Sequence, residues 1–314
     1  MRCLVLGGGG FIGKHLCEGL LKAGYKVRVL ERPHLDMEDY LWLKSQLEWV
    51  EGDFTNPVDI VPALDGCNWV FHLISTTLPK TSNENPVYDL ESNVGSTLRL
   101  LDLIIRNKSV QKLIYVSSGG TVYGVPETTP IPESHPTNPI CAYGISKLAV
   151  EKYLELYRLL YGINYAVLRL ANPFGEYQRV HASQGAIPVF LHKAINNEPI
   201  EIWGDGTITR DYVYIGDVIR AMLRVMQHDG EQRLFNIGSG IGTNINDLIH
   251  VMEILLERPV LCRFLPERRF DVPVNILDIT RARTVLDWTP QVGLQEGMAR
   301  MLAYLLSPFS SAPG

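Results

Sequence analysis

Tyr143 and Lys147, in the run Ala142-Tyr-Gly-Ile-Ser-Lys147, pair a phenol with a cation four residues apart. Positions i and i+4 share one face of a helix, so the ammonium can stand beside the phenol oxygen. A free tyrosine titrates near ~10, and a neighbouring positive charge favours the phenolate. Lowering that value by about three units takes roughly 4 kcal/mol of differential stabilisation and would leave a general base usable at neutral pH. Read alone, the same residues also suit a solvated Tyr and Lys on an amphipathic helix.

A second group of residues opens the chain. The apolar run Arg2-Cys-Leu-Val-Leu6 stops at Gly7-Gly-Gly-Gly-Phe-Ile-Gly13 and passes into a helical pattern from Lys14 to Lys22. Gly8, Gly10 and Gly13 fit G-x-G-x-x-G, and Gly7, Gly10 and Gly13 fit G-x-x-G-x-x-G. Such glycines allow a sharp turn and let a pyrophosphate approach the N–H groups at a helix start. The next apolar run, Lys26-Val-Arg-Val-Leu30, ends in Glu31, followed by Arg32. An acid about 20 residues past the glycines can bond a ribose 2′-hydroxyl. A glycine turn packing a helix onto a sheet explains the glycines but not the acid. The spacing predicts a dinucleotide site, with Gly7, Gly10, Phe11, Ile12, Gly13, Glu31 and Arg32 at its core.

The elements needed to position these groups are legible further along. Apolar runs at Leu47–Val50, Trp69–Leu73, Lys112–Ser117 and Tyr165–Leu170 alternate with helical patterns, the longest at 84–107 and 142–161. Continuous apolar strands alternating with helices predict a doubly wound (Rossmann) parallel sheet over residues 1–170. Five prolines between Tyr123 and Pro139 stiffen the approach to the Tyr143 helix. After Asn172-Pro173 the elements shorten and mix, which predicts a smaller mixed α/β substrate lobe over 171–314, with some segments returning to the first domain. Its expected elements include helices near 184–196 and 294–306 and a strand at 200–203.

The chain has 314 residues, 46% hydrophobic and 20% charged, and a net charge of −5. That balance carries no basic footprint for nucleic acid. No apolar stretch approaches the ~20 residues a membrane-spanning helix needs. Cys3, Cys17, Cys67, Cys141 and Cys262 are scattered without metal-ligand spacing, so reduced thiols, no metal and a cytoplasmic address are expected. Because the first strand starts at once, no signal peptide is expected.

With these motifs in place, the chain resembles the extended short-chain dehydrogenase/reductase family, and within it the nucleotide-sugar epimerases of the UDP-galactose 4-epimerase type. The resemblance runs from residue 2 to about 300 and includes Gly7–Gly13, Gly52-Asp-Phe54, Val70-Phe-His-Leu73 and Asn93-Val-Gly95. It continues through Val116-Ser-Ser-Gly-Gly-Thr-Val-Tyr-Gly124, Tyr143–Lys147, Arg169-Leu-Ala-Asn172, Gly204–Tyr212, Arg268-Arg-Phe-Asp271 and Asp278–Ala282. It implies NAD as cofactor, with Asp53 on the adenine amine and Lys147 on the nicotinamide ribose. Phe54, Leu73, Ser75 and Asn93 would complete that site, although Asn93 also suits a helix cap. Tyr143 would be the acid/base, and Asn172, Arg210 and Arg268 would hold the substrate diphosphate.

Two departures stand out. Most relatives place a catalytic Ser or Thr four residues before the Tyr of Val-Tyr-Gly, where this chain has Gly119. Ser118 and Thr121 flank the gap, and Thr121 shares the parity of Gly119 if the strand continues. Ile74-Ser75 replaces small alanines, which narrows the cofactor cleft.

The resemblance implies oxidation at C4 of a nucleoside-diphosphate sugar and return of the hydride to its opposite face, an epimerisation through a 4-keto sugar. A 4-ketoreductase is the alternative. The 4,6-dehydratases are disfavoured, because their Asp-Glu pair is Gly120-Thr121 here. A silent dinucleotide-sensing protein is the alternative of another class, although it would need neither Tyr143 nor the diphosphate clamp. Relatives dimerise through the helices corresponding to 88–107 and 144–161, where Leu98, Leu101, Ile105, Leu148, Leu156 and Leu159 recur at helical spacing, so a homodimer is expected. Asn275, seven residues beyond Arg268, matches the position that lines the sugar pocket. Its small amide would leave room for an N-acetyl group.

Overall fold

A computed structural model describes residues 1–33, 41–180, 185–267 and 272–307. The strands in chain order begin with β1 (Arg2–Leu6), β2 (Lys26–Glu31), β3 (Glu48–Glu51), β4 (Trp69–His72), β5 (Lys112–Ser118), β6 (Tyr165–Leu170) and β7 (Asn172–Phe174). They continue with β8 (Ile200–Trp203), β9 (Thr209–Tyr214), β10 (Leu234–Ile237), β11 (Gly242–Asn244), β12 (Cys262–Leu265) and β13 (Val274–Asn275).

Seven strands form one parallel sheet in the order β10-β6-β5-β4-β1-β2-β3. The chain reverses direction across the sheet between β1 and β4, and a doubly wound sheet opens its ligand crevice beyond the strand ends at that point. β6 is buried along its whole length and β5 up to Ser118, as expected of strands covered on both faces. Each buried Val, Leu or Ile there contributes about 1.5–3 kcal/mol. β10 comes from beyond residue 171 and pairs with β6, so the later chain completes the first sheet.

The remaining strands form a smaller, mixed arrangement. β9 pairs in parallel with β7 and β13 and antiparallel with β11, while β8 and β12 form a parallel pair. Helices Ala186–Ile195 and Leu294–Leu305 accompany them, close to their expected spans. Among the described residues, no helix is long and apolar enough to cross a membrane.

The helix Ala142–Tyr161 matches its expected span and ends where Gly162 takes the left-handed conformation (φ 72°). Its N-cap, Cys141, makes no side-chain cap. The free N–H groups of its first turn are met from another segment: Ala142 N–H donates to Asn83 Oδ1 (2.9 Å) and Tyr143 N–H to Ser82 Oγ (3.0 Å).

The expected single helix over 84–107 is instead broken. Helices Pro79–Glu84 and Pro86–Asp89 lead into a π-helical turn, Leu90–Gly95, and then helix Ser96–Arg106. Pro86 cannot continue the first helix, and the wide turn holds Asn93 where its Oδ1 accepts from Thr76 N–H (2.9 Å). The extra residues also shift the helical phase. Leu101 is buried, Leu98 and Leu148 pack on the protein's own core, and Ile105, Leu156 and Leu159 remain exposed at 38%, 42% and 65%.

Candidate functional site

The glycine loop bridges β1 and helix Phe11–Lys22. Gly7 N–H donates to Leu30 O (3.0 Å) with φ at +85°, which favours glycine. A Cβ on Gly13 would lie 2.2 Å from Gly7 O and 2.7 Å from Gly8 Cα, so only glycine lets the helix start this close to the loop. A Cβ on Gly10 would meet nothing nearer than Gly7 O at 3.4 Å. Gly10 therefore leaves clear the space over a helix start that has no side-chain cap, which fits a pyrophosphate on the first-turn N–H groups, those of Phe11, Ile12 and Gly13 among them. Ile74 Cγ1 stands 3.1 Å from where a Cβ on Gly7 would be, so Ile74 packs against the start of the loop.

Glu31 stands at the end of β2 as expected. Its Oε2 accepts from Gly9 N–H and its Oε1 from Arg32 N–H, each at 3.0 Å, which fixes the carboxylate at the loop. Asp53 Oδ1 accepts from Thr55 N–H and Thr55 Oγ, both 2.8 Å. The Thr55 N–H leads in holding the Asp53 carboxyl below its usual range. A cavity of about 660 Å³ opens between Arg32, Asp53, Asp59 and Tyr88, the last two unsuspected from the sequence. Phe54 is buried with its ring 4.8 Å from the His72 ring, and Leu73 N–H donates to Leu6 O (3.2 Å). NAD is expected to bind at least about tenfold more tightly than NADP, since a 2′-phosphate would face the Glu31 carboxylate and one like-charge contact of ~1.4 kcal/mol suffices. Titration with both dinucleotides checks this; tighter NADP binding would mean that Arg32 outweighs Glu31.

Tyr143 and Lys147 come together at the C-terminal ends of β4 and β5. Lys147 Nζ lies 5.5 Å from the Tyr143 ring centre and 5.0 Å from that of Tyr115, and it donates to Val116 O (2.9 Å). Ser75 hydrogen-bonds the Tyr143 hydroxyl and also donates to Thr77 O (3.1 Å). The expectation that the neighbouring Lys147 charge leaves the phenol a base usable at neutral pH is corrected here as far as the protein's own groups set it. Burial pushes Tyr143 up to about 12, with Cys141 and Asp89 adding to the rise and Ser75 opposing it. Burial likewise brings Lys147 down to about 8, while Asp89 and Glu151 hold it up. Desolvation of the buried phenol is the largest influence on it, and the Lys147 charge does not offset that burial.

Asn93 is not a helix cap. It sits inside the π-turn, where its Oδ1 accepts from Thr76 N–H (2.9 Å) and its Nδ2 donates to Asp89 O (3.0 Å) and Asp89 Oδ1 (3.1 Å). It therefore bolts the loop after β4 to the next helix.

β5 ends at Ser118, and Gly119–Thr121 form a turn in which Thr121 and Val122 N–H both bond back to Ser118 O (3.3 and 3.1 Å). The strand alternation that would align Thr121 with Gly119 thus stops short of it. Thr121 Oγ is buried without a hydrogen-bond partner, and Thr121 O lies 2.8 Å from where a Cβ on Gly144 would be, against the first turn of the Tyr143 helix. The side-chain space at Gly119 is taken by Leu277, whose Cδ1 is 2.5 Å from the Cβ position.

A second cavity, about 260 Å³, is lined by Asn172 and Arg210 together with Phe190, Glu201, Trp203 and Tyr212. Asn172 Nδ2 donates to Asp211 O (3.0 Å) and Arg210 Nη1 to Val272 O (2.6 Å). The aromatic residues were not foreseen; only the alternating exposure of β8 turns Glu201 and Trp203 to one side. Arg268 lies outside the described residues. Asn275 pairs with Arg210 across β13–β9, is 1% exposed, and donates from Nδ2 to Gly119 O (3.2 Å). Among the described residues, no group of His, Cys, Asp and Glu could hold a metal ion.

This arrangement of glycine loop, Tyr–Lys helix and second cavity has known counterparts. Residues 3–238 match the NAD dependent epimerase/dehydratase family. The UDP-glucose 4-epimerase of Mycolicibacterium smegmatis is 35% identical over 97% of this chain and 98% of its own. The dTDP-4-dehydro-6-deoxyglucose reductase of Escherichia coli is 32% identical over 95% and 96%. The crystal structure of Thermus thermophilus UDP-glucose 4-epimerase in complex with NAD superposes with a TM-score of 0.89 at 29% identity, covering 100% of both chains. The chain belongs to the NAD dependent epimerase/dehydratase family and is an NAD-dependent nucleotide-sugar epimerase of the extended short-chain dehydrogenase/reductase type.

Proposed function

We propose that the protein inverts C4 of a UDP-hexose or UDP-N-acetylhexosamine through a transient 4-keto sugar. The observation that supports this reading is that Lys147 Nζ stands 5.5 Å from the Tyr143 ring centre, while Asn172 and Arg210 line one cavity. NAD, held by the glycine loop, Glu31, Asp53 and Lys147, would supply the hydride acceptor and donor for the change at C4. Tyr143 takes the proton from the sugar 4-hydroxyl and returns it. Lys147 holds the nicotinamide ribose and favours the phenolate when the site is filled. Thr121 or Ser118 supplies the hydroxyl that Gly119 lacks. Asn172, Arg210 and Arg268 hold the diphosphate, so that residues 171–314 act mainly as the substrate lobe. No nucleic-acid or membrane partner enters this scheme, and the protein works in the cytoplasm.

The test incubates the purified protein with UDP-glucose, UDP-GlcNAc and their 4-epimers with no added cofactor. Interconversion of either pair supports the reading. Turnover only of a 4-keto sugar with added reduced cofactor would favour 4-ketoreduction, the reading that the Escherichia coli relative favours. No turnover of either kind would point to a dinucleotide-sensing protein.

Asn275 is the candidate residue for admitting acetamido sugars. Its Nδ2 bonds Gly119 O and its Oδ1 is buried without a partner, while the cavity of Asn172 and Arg210 is lined by other residues, so its amide acts on the sugar only if the site opens to it. Acetamido sugars should be used at least as well as the unacetylated pair, and Asn275→Tyr should lower kcat/KM for them selectively. A parent enzyme strongly preferring UDP-glucose, or a Tyr variant without effect, contradicts this role.

The exposed Ile105, Leu156, Leu159, Leu160 and Tyr161 give helices Ser96–Arg106 and Ala142–Tyr161 an apolar outer surface, which supports a homodimer packed through them. Sedimentation at micromolar concentration should show a dimer; a monomer counts against it.

A further inference from the structure

Asp89 is fully buried, and none of the motifs above includes it. It ends the short helix Pro86–Asp89, just before the π-turn. Its Oδ1 accepts from Thr77 Oγ and, at 3.1 Å, from Asn93 Nδ2, while its Oδ2 accepts from Ser146 Oγ. Ser146 lies between Tyr143 and Lys147 on their helix. Thr77 lies two residues beyond Ser75, which bonds the Tyr143 hydroxyl. One carboxylate thus joins the helix that carries both functional groups to the loop that carries their hydroxyl partner. Among the described residues, no cation stands within ion-pair distance of it.

A scaffold alone does not require that charge. Asparagine has the same shape and could accept from one hydroxyl and donate to the other. A buried carboxylate without a contacting cation is costly unless its charge is used nearby. We propose that Asp89 is a positioning residue for the Tyr143–Lys147 pair: its carboxylate ties their helix to the loop after β4 and supplies the negative charge that keeps Lys147 an ammonium. This rests on Tyr143 being the acid/base.

The other groups facing the pair come from three elements. His72 from β4 and Tyr115 from β5 face Lys147, and Glu151 stands one turn further along the helix. Cys141 and Ser75 face Tyr143. His72 is held neutral by burial, down to about 3, and Glu151 is bound to Arg169 (2.6 Å), so its charge is largely answered. Asp89, by contrast, has no ion-pair partner among the described residues, and its carboxylate is held by Thr77, Asn93 and Ser146 alone. It raises both Lys147 and Tyr143.

That shared sign gives a distinctive test. In the NAD-loaded protein, Asp89→Asn should move both limbs of the pH–kcat profile to lower pH by roughly one to two pH units, the size expected of one nearby charge at an effective dielectric of ~20. The alkaline limb moves because Lys147 then loses its proton sooner, and the acidic limb because the phenolate forms sooner. Ser146→Ala, which removes one hydrogen bond and keeps the charge, should lower kcat with both limbs in place. Lys147 ionisation is followed independently of turnover by NMR of 13Cε-labelled lysine, where Asp89→Asn should show the same downward shift. Asp89→Ser, with room for a water between Thr77 and Ser146, is a second neutral variant. An unmoved or raised Lys147 inflection in a folded neutral variant overturns the proposal, as does failure of both neutral variants to fold, which would make Asp89 structural. Full turnover by Tyr143→Phe together with a shifted Lys147 inflection would overturn only the role of Tyr143.

Discussion

Tyr143→Phe is expected to lower turnover by roughly 10² to 10⁴, the span usual for a lost general acid/base, with the fold intact. The variant keeps the ring whose centre lies 5.5 Å from Lys147 Nζ and keeps the N–H that bonds Ser82 Oγ. It removes only the hydroxyl beside Ser75, which retains Thr77 O as a partner. No buried charge is created, so thermal stability should change little. Steady-state rates at saturating substrate, with NAD content measured alongside, check the result. A folded, NAD-bearing variant with near-normal turnover would remove Tyr143 from the chemistry.

Gly13→Ala should have the second largest effect, through binding. The new Cβ would meet backbone atoms only, Gly7 O at 2.2 Å and Gly8 Cα and C at 2.7 and 2.8 Å, so no side chain can rotate away. Overpacking of this kind costs about 1–3 kcal/mol, which corresponds to roughly a 10- to 100-fold loss of NAD affinity if the loop must open to relieve it. Gly10→Ala is the contrasting case, because the protein has room for its Cβ. It should melt like the parent and still bind NAD weakly, since the added methyl meets the pyrophosphate. Calorimetric titration and thermal melting of the two variants separate these effects. Parent-like NAD binding by Gly13→Ala would show that this loop is not the cradle.

The parallel sheet and the Tyr143 helix were legible because their signals are local and repeated. Lys112–Ser117 and Tyr165–Leu170 are unbroken apolar runs, and 142–161 keeps a helical period to its glycine stop. The glycine loop was legible for the same reason, since the contacts that demand glycine at Gly8 and Gly13 lie within the loop or in the next strand, whereas that of Gly7 with Ile74 comes from beyond β4. What stayed hidden depends on residues distant in the chain. The π-turn is held by Asn93 bonding Thr76 across the sheet end, and no spacing rule announces it. The hydroxyl parity argument failed at Thr121 because β5 stops at Ser118. Leu277 fills the side-chain space at Gly119 from far along the chain, and Asp89 acquires a role only once the fold brings Thr77 and Ser146 to it. The ionisation of Tyr143 was misjudged for a related reason: i,i+4 spacing reveals the cation but not the burial that opposes it.

The central claim, inversion at C4 by removal and return of the same hydrogen, is tested most directly with a UDP-sugar carrying deuterium at C4. The protein is incubated in ordinary water without added cofactor, and the 4-epimer is examined by NMR and mass spectrometry. The account predicts that the product carries its deuterium at C4, because the hydrogen leaves and returns within one site closed to solvent. Replacement of that deuterium by solvent hydrogen would contradict it.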